Sequence, residues 1–252
     1  MSKPDTPLVM LADIPASIGL LSRMPVKTDG KRGAAAAWAF PVVGLILGAL
    51  AAIIGWFAQT LGLSASLTAG IILVTLVITT GAMHEDGLAD TVDGLWGGWD
   101  KARRLEIMKD SHIGVYGVIA LVLSLILRWA ALTALAQAGL LTTALIAIAA
   151  LSRAPMVVMM AMMPGARDGG LSASVGQVGT KPAMIAVGIA SITTITLLGW
   201  SGISAIVAVI IAGSTTALIA QNKIDGQTGD ILGASQQISE IAALMVLATA
   251  LA

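Results

Sequence analysis

The chain has 252 residues, of which 57% are hydrophobic and only 11% are charged, and its mean hydropathy is +0.92. Soluble globular chains carry about 25% charged residues, so this composition excludes a water-soluble fold. The 14 basic and 14 acidic residues cancel, which leaves no positive field to favour nucleic acid as a partner. No cysteine is present, which excludes disulfides and thiolate chemistry. We expect an all-α, polytopic helical bundle in the lipid bilayer, forming a single domain over residues 1–252.

Seven apolar stretches of about 20 residues are long enough to cross a hydrocarbon core of roughly 30 Å as helices. They lie in chain order near 34–59, 65–83, 115–136, 140–163, 183–200, 203–221 and 234–252. A further apolar stretch, 5–22, is broken by Asp13 and Pro15, so we predict an interfacial or packed helix there rather than an eighth span.

Charged residues occupy alternate connections between these spans. The connections 60–64, 137–139 and 201–202 contain none, whereas the N-terminal segment and the other three loops contain most of them. Because lysine and arginine are retained on the cytoplasmic side, we predict that the charged loops, and any chemistry they carry, face the cytoplasm.

The segment after the second span reads His84-Glu85-Asp86-Gly87-Leu88-Ala89-Asp90-Thr91-Val92-Asp93-Gly94. On a helix continuing from that span, Asp86, Asp90 and Asp93 would project from one face. Like charges on one face repel unless a cation holds them together, and oxygen-only ligands suit Mg²⁺ or Mn²⁺. This spacing predicts a metal site. The alternative is a solvated acidic loop that is balanced by the basic residues Lys101, Arg103 and Arg104.

Two glycine-containing turns add further candidates. The turn Lys223-Ile224-Asp225-Gly226-Gln227-Thr228-Gly229-Asp230 precedes the last span, where backbone N–H groups would face an anion and Asp225 and Asp230 could complete the metal site. The turn Arg167-Asp168-Gly169-Gly170-Leu171-Ser172 is a weaker case of the same pattern. His84 and His112 are open to a catalytic, ligand or structural role.

Three charged residues lie inside predicted spans, where a charge is costly enough to indicate function. Arg153 and Glu240 lie near the inner boundary, within reach of the acidic loop. Arg153 has two open roles, a grip on a substrate phosphate or an ion pair with Glu240. Arg128 lies near the outer end of its span, and we expect its side chain to extend to the headgroups.

These features favour phosphoryl-group chemistry at the cytoplasmic membrane surface, with a metal bridging phosphate oxygens. The alternative is a transporter of a metal ion or small solute. A transporter would place its carboxylates near the midplane on broken helices, whereas this sequence clusters them at the inner boundary.

Six segments carry a family resemblance: Arg23-Met24-Pro25-Val26, Phe40-Pro41-Val42-Val43-Gly44, the block from His84 to Gly94, Glu106-Ile107-Met108-Lys109-Asp110-Ser111, Ser152-Arg153, and Gly226-Gln227-Thr228-Gly229-Asp230-Ile231-Leu232-Gly233-Ala234. In these segments the chain resembles the cobalamin synthases, also called adenosylcobinamide-GDP ribazoletransferases. It departs from them at two positions, since the family usually has Arg where His112 stands and Gly where Asp225 stands.

The resemblance implies an enzyme of the bacterial inner membrane that uses Mg²⁺. It would transfer the phospho-cobinamide group of adenosylcobinamide-GDP to the ribose hydroxyl of α-ribazole or its 5′-phosphate and release GMP. Asp86, Asp90 and Asp93 would be catalytic and would hold the metal together with Asp230. The implied substrate-binding residues are Arg153, Lys109, Ser111, Gln227, Thr228 and Gly229. The sequence leaves open whether the partners include further copies of the same chain.

Overall fold

The computed structural model describes residues 7–28 and 32–250. Over these residues the chain is helical, and the bridge between Gly165 and Gln227 is its only β-type pairing. A 3₁₀ segment, Gly33–Ala39, leads directly into the second helix. The α-helices are α1 (Asp13–Leu21), α2 (Phe40–Thr60), α3 (Ala65–Thr80), α4 (Met83–Gly97), α5 (Lys101–Ile107), α6 (Val115–Gln137), α7 (Leu141–Leu151), α8 (Ala154–Met162), α9 (Leu171–Val175), α10 (Thr180–Leu198), α11 (Trp200–Ile224) and α12 (Gly229–Thr249). The all-α prediction is confirmed.

Six helical stretches are long and apolar enough to cross a membrane, which makes the chain a multi-pass membrane protein. They are Gly33–Thr60, Leu141–Met162, which contains α7 and α8, and the helices α6, α10, α11 and α12. These stretches confirm six of the seven predicted spans, with ends shifted by a few residues. The last two residues of the predicted span 234–252 lie outside the described residues.

The prediction that the second span continues into the aspartate segment as one helix is wrong. α3 ends at Thr80, and α4 leaves it at an angle of 86°. Gly81 and Ala82, between the two helices, have φ angles of 64° and 58°, a left-handed conformation that cannot extend a right-handed helix. Arg23 N donates to the carbonyl oxygen of Thr79 at 2.8 Å and satisfies one acceptor at this end. The bent pair counts as a seventh span only if both helices are taken together.

Helix α1 packs against the 3₁₀ segment and α2, as the prediction of an interfacial or packed helix allowed. Residues 5 and 6 of the predicted 5–22 stretch lie outside the described residues. The buried carboxylate of Asp13 accepts hydrogen bonds from Arg32 Nε at 2.7 Å and Trp38 Nε1 at 2.7 Å. Burial raises the pKa of Asp13, but these hydrogen bonds outweigh it and hold the pKa below its ordinary value. Asp13, the first residue of α1, therefore holds this helix against the 3₁₀ segment and Arg32.

Helix α12 is the central helix and contacts α4, α6, α7, α8 and α11. It is largely buried although it carries Ser235, Gln236, Gln237, Ser239 and Glu240. Because lipid offers no hydrogen bonds, these groups depend on partners inside the bundle. Helices α2, α6, α10 and α12 begin at one end of the bundle, which we call the charged end because the charged connections lie there.

The alternation of charged and uncharged connections predicts which positions face each side of the membrane. The chain has no cysteine, so single cysteines can be introduced without further changes. We expect an impermeant thiol reagent added from the periplasm to label Ser64→Cys, Ala138→Cys and Ser201→Cys, and not Ser111→Cys or Thr180→Cys. Labelling of Ser111→Cys from the periplasm would place the charged end outside and contradict the predicted orientation.

Candidate active site

A cavity of about 200 Å³ opens at the charged end of the bundle. Side chains from α1, α2, α4, α8, α9 and α12 line it, together with the connection between α8 and α9. Most of this lining is apolar and includes Leu20, Leu21, Phe40, Met156 and Met160. The ionisable and hydroxyl side chains in the lining are His84, Asp86, Arg167, Ser172 and Asp230. An apolar pocket with a few convergent polar groups is the usual form of a ligand site.

The polar side of the cavity is built where α4 crosses α12. A Cβ atom placed on Gly87 would lie 2.9 Å from the carbonyl oxygen of Asp230 and 3.2 Å from the Cα atom of Gly233. The two backbones therefore touch, because neither glycine has a side chain to separate them. This contact brings the first turn of α12, with Asp230, against the first two turns of α4, with Asp86 and Asp90.

Negative charge is concentrated at this crossing. The carboxylates of Asp86 and Asp230 both lie close enough to Asp90 to repel its negative charge, and that of Asp93 repels it less strongly. The guanidinium of Arg167 offsets this repulsion only in part. Arg167 Nη2 donates to Asp230 Oδ2 at 3.0 Å. Three carboxylates against one guanidinium leave a net negative site, which would attract a cation.

The donors at the crossing fit a hard divalent cation, since all three are carboxylates. Within residues 7–28 and 32–250, no three His, Cys, Asp or Glu side chains are already gathered in the geometry of a metal site. Mg²⁺ in phosphoryl-transfer sites is usually held by one or two carboxylates together with substrate phosphates rather than by a complete protein cage. The arrangement therefore fits a metal ion that is completed by a bound phosphate.

Asp93 has a structural role besides the predicted metal-binding one, and its binding of a metal stays a prediction. Its Oδ2 accepts from Gly114 N at 2.7 Å, and its Oδ1 accepts from Gly117 N at 2.8 Å. Asp93 is buried and caps the start of α6, and like Asp90 it is absent from the cavity lining. The spacing does place all three on one side of α4, but Asp93 lies seven residues beyond Asp86, roughly 10 Å along the axis, where α6 begins.

The turn before α12 lies beside the cavity. Gly229 lines the cavity, and Thr228 is the N-cap, with its Oγ1 accepting from Ile231 N at 3.3 Å. Gln227 is buried, and its Oε1 accepts from Ser172 Oγ at 2.6 Å. Gly229 and Asp230 thus line the cavity, whereas Gln227 and Thr228 are absent from its lining. Substrate binding by Gln227, Thr228 and Gly229 stays a prediction.

The other three predicted substrate-binding residues lie away from the cavity lining. Lys109 and Ser111 are exposed on the connection between α5 and α6. Arg153 is buried, and its Nη1 donates to the carbonyl oxygen of Ala149 at 2.6 Å. The alternative pairing of Arg153 with Glu240 is not observed at ion-pair distance among the described residues, because Glu240 pairs elsewhere. Substrate binding by these three residues stays a prediction.

Arg128 pairs with Glu240, and the expectation that Arg128 extends to the headgroups is wrong. Its side chain is only 1% exposed, with Nη2 3.0 Å from Glu85 Oε1 and Nη1 3.4 Å from Glu240 Oε1. Gln236 Nε2 donates to Glu240 Oε2 at 2.6 Å, and Gln237 Nε2 donates to Glu85 Oε1 at 3.2 Å. Arg128 stays in the bundle because α4 and α12 bring two carboxylates to its depth.

Comparison with known proteins assigns the chain to a family. The family described as cobalamin-5-phosphate synthase matches residues 13–248. The chain belongs to this family. It is 41% identical over 244 residues to the adenosylcobinamide-GDP ribazoletransferase of Bradyrhizobium diazoefficiens, covering 95% of the chain and 94% of the relative. It is 42% identical over 252 residues to the protein of the same name from Mesorhizobium japonicum, covering 98% and 96%. No solved structure matches the chain.

Both departures from the usual residues of the cobalamin-5-phosphate synthase family lie outside the cavity. Asp225 has a φ angle of 56° at the end of α11, a conformation that favours the glycine usual there, and it pairs with Lys101 at 3.2 Å instead of joining Asp230. His112 is exposed, and its Nδ1 lies 2.7 Å from Asp110 Oδ1. The hydrogen bond with Asp110 raises the pKa of His112 above its ordinary value.

Two ionisable residues of the cavity lining, Arg167 and His84, have no definite role in the sequence analysis, which places Arg167 in a weak glycine-containing turn and leaves the role of His84 open. His84 is buried in the cavity wall, and neither of its ring nitrogens has a hydrogen-bond partner. The position of Arg167 beside Asp230 depends on contact between distant segments, so no pattern within one segment could have found it.

The capping role of Asp93 can be separated from a metal-binding role by stability measurements. Asp93→Asn leaves one backbone N–H facing an amide donor, so we expect it to lower the free energy of unfolding by about 1–3 kcal/mol. Asp86→Asn removes a repelled charge and should leave the thermal midpoint of detergent-solubilised protein unchanged or raise it. If Asp93→Asn keeps the wild-type midpoint but binds metal more weakly, Asp93 is a ligand after all.

Proposed function

We propose that this chain is a membrane-embedded transferase that moves the phospho-cobinamide group of adenosylcobinamide-GDP to the ribose hydroxyl of α-ribazole or its 5′-phosphate. Its membership of the cobalamin-5-phosphate synthase family and the shared name of its relatives support this activity. The structural observation that carries it is the group of carboxylates and a guanidinium at the crossing of α4 and α12. Such a group is suited to a diphosphate with a metal ion.

The proposed reaction is a displacement at phosphorus. The ribose hydroxyl oxygen forms a bond to the phosphorus attached to the cobinamide side chain, and the bond from that phosphorus to the oxygen of GMP breaks. A carboxylate of the site accepts the hydroxyl proton, and GMP leaves with the electron pair of the broken bond. Mg²⁺, held by Asp86, Asp90 and Asp230, would supply neutralisation of the diphosphate charge and of the leaving GMP.

The position of the cavity supports a cytoplasmic active site in the bacterial inner membrane. The cavity opens at the end where the lysine- and arginine-containing connections lie, and such connections are retained in the cytoplasm. Both proposed substrates and GMP are polar molecules that would be exchanged with water at that surface. The apolar part of the lining, from α1 and α8, offers a surface for the less polar parts of a large substrate.

The transporter hypothesis is not supported. Its carboxylates would have to be available to a solute within the membrane, but Glu85 and Glu240 are both paired with Arg128. The unpaired negative charge lies instead at the charged end, beside the cavity. This placement fits an enzyme that works at the membrane surface.

The test is release of GMP by purified protein in lipid, given adenosylcobinamide-GDP, α-ribazole and Mg²⁺. We expect Asp86→Asn, Asp90→Asn and Asp230→Asn each to lower GMP release by at least about 100-fold, because each removes a proposed metal ligand without changing side-chain size. Asp100→Asn is the matched control, since Asp100 caps α5 by accepting from Arg103 N and asparagine caps equally well. Equal and mild losses at all four positions would indicate a solvated acidic surface and contradict the proposal.

A further inference from the structure

Two hydrogen-bond donors of Arg167 have no acceptor in the described part of the chain. Its side chain lines the cavity and is 14% exposed, with Nη2 bound to Asp230. Nε and Nη1 are both buried, and neither has a partner. An unpaired buried donor on a charged group is costly, so a cavity that holds two of them is suited to an anionic ligand.

The backbone next to Arg167 is held firmly against the turn before α12. Ala166 N donates to the carbonyl oxygen of Gln227 at 2.9 Å, and Gln227 N donates to the carbonyl oxygen of Pro164 at 2.9 Å. This pair of hydrogen bonds fixes the base of the Arg167 side chain beside Asp230. The guanidinium can therefore change its partner without movement of the main chain.

The carboxylate of Asp230 has more than one hydrogen-bond partner. Its Oδ2 accepts from Arg167 Nη2 and also lies 3.2 Å from Thr228 Oγ1. Asp230 is also a proposed metal ligand, and a carboxylate shared with a divalent cation binds a guanidinium less strongly because the two cations repel. Arrival of a metal would thus weaken the ion pair, and a phosphate oxygen is the natural replacement partner for a guanidinium.

We propose that Arg167 is a substrate-binding residue that exchanges Asp230 for a phosphate oxygen of the diphosphate when the metal and substrate bind. The inference rests on the proposed function for the identity of the diphosphate. The metal and the diphosphate each disrupt the ion pair between Arg167 and Asp230, so binding of one makes binding of the other more favourable. The ion pair between Arg167 and Asp230 thus lowers the affinity of the site for either ligand alone.

The first measurement is the substrate dependence of GMP release. Arg167→Gln removes the donors and the charge, so we expect the KM for adenosylcobinamide-GDP to rise at least about 10-fold. Arg167→Lys keeps the charge but loses the planar fork, and its KM should lie between those of the wild type and Arg167→Gln. Arg103→Gln is the control, since Arg103 lies outside the cavity and pairs with Glu106 at the surface, and its KM should stay at the wild-type value.

The second measurement is calorimetric binding of adenosylcobinamide-GDP in the presence of EDTA, which does not depend on turnover. Asp230→Asn frees Arg167 from its ion pair, so this variant should bind the diphosphate at least about 3-fold more tightly than the wild type does. The double variant Arg167→Gln with Asp230→Asn should lose this gain. If the double variant binds adenosylcobinamide-GDP as tightly as Asp230→Asn does, the tighter binding comes only from reduced repulsion between residue 230 and the diphosphate, which would overturn the inference.

A purely structural role for Arg167 gives a different pattern. In that case Arg167→Gln would lower the thermal midpoint, and the double variant would recover it. The KM of Arg167→Gln would match that of Arg103→Gln. This pattern overturns the inference, while GMP release by the wild-type protein upholds the proposed function. If the wild-type protein neither binds adenosylcobinamide-GDP nor releases GMP, the proposed function fails, and the inference fails with it.

Discussion

The backbone contact between α4 and α12 at Gly87 and Gly233 is the constraint on which the site depends. A side chain at either position would separate the helices, and a Cβ on Gly87 alone would come within 2.9 Å of the carbonyl oxygen of Asp230. Because these helices come from distant parts of the sequence, the contact brings together two groups of acidic residues that are about 140 positions apart. The negative site at the charged end exists only while this contact is made.

The charges of this chain divide into those that hold the bundle together and those that remain available to a ligand. Arg128 ties α4, α6 and α12 together through Glu85 and Glu240, and Asp93 ties α4 to the start of α6. These groups are buried and pair with one another or with backbone N–H groups, although Arg128 Nε and Glu85 Oε2 have no partner among the described residues. Asp86, Asp90 and Asp230 lie one or two turns away at the charged end, where repulsion between them is only partly offset by Arg167. The buried charge pairs thus fix the helices that carry Asp86, Asp90 and Asp230.

Much of the fold could be predicted from the sequence, because a span must be long and apolar whatever its neighbours are, and six of the seven spans were found on that basis. Asp86 and Asp90 could be proposed as metal ligands from their spacing on one helix, and Asp230 from its place in a turn before a span; their binding of a metal stays a prediction. The break at Gly81 and Ala82 was not predicted although Gly81 is a local helix-ending residue, because the apolar stretch continues without a charge to residue 83. The capping contact of Asp93 and the ion pairs of Arg128 could not be predicted, because their partners lie on other helices and no periodicity within one helix reveals them.

The most direct measurement of the central claim is GMP release by Gly87→Ala compared with Gly70→Ala. Gly70 also lies inside a helix, but a Cβ placed there meets no atom within 4 Å. If contact between α4 and α12 builds the site, Gly87→Ala should lower GMP release by at least about 10-fold, because shifts of about 1 Å at a reacting centre have costs of that order or greater. Gly70→Ala should keep wild-type activity. Wild-type GMP release by Gly87→Ala would show that the site does not depend on this contact.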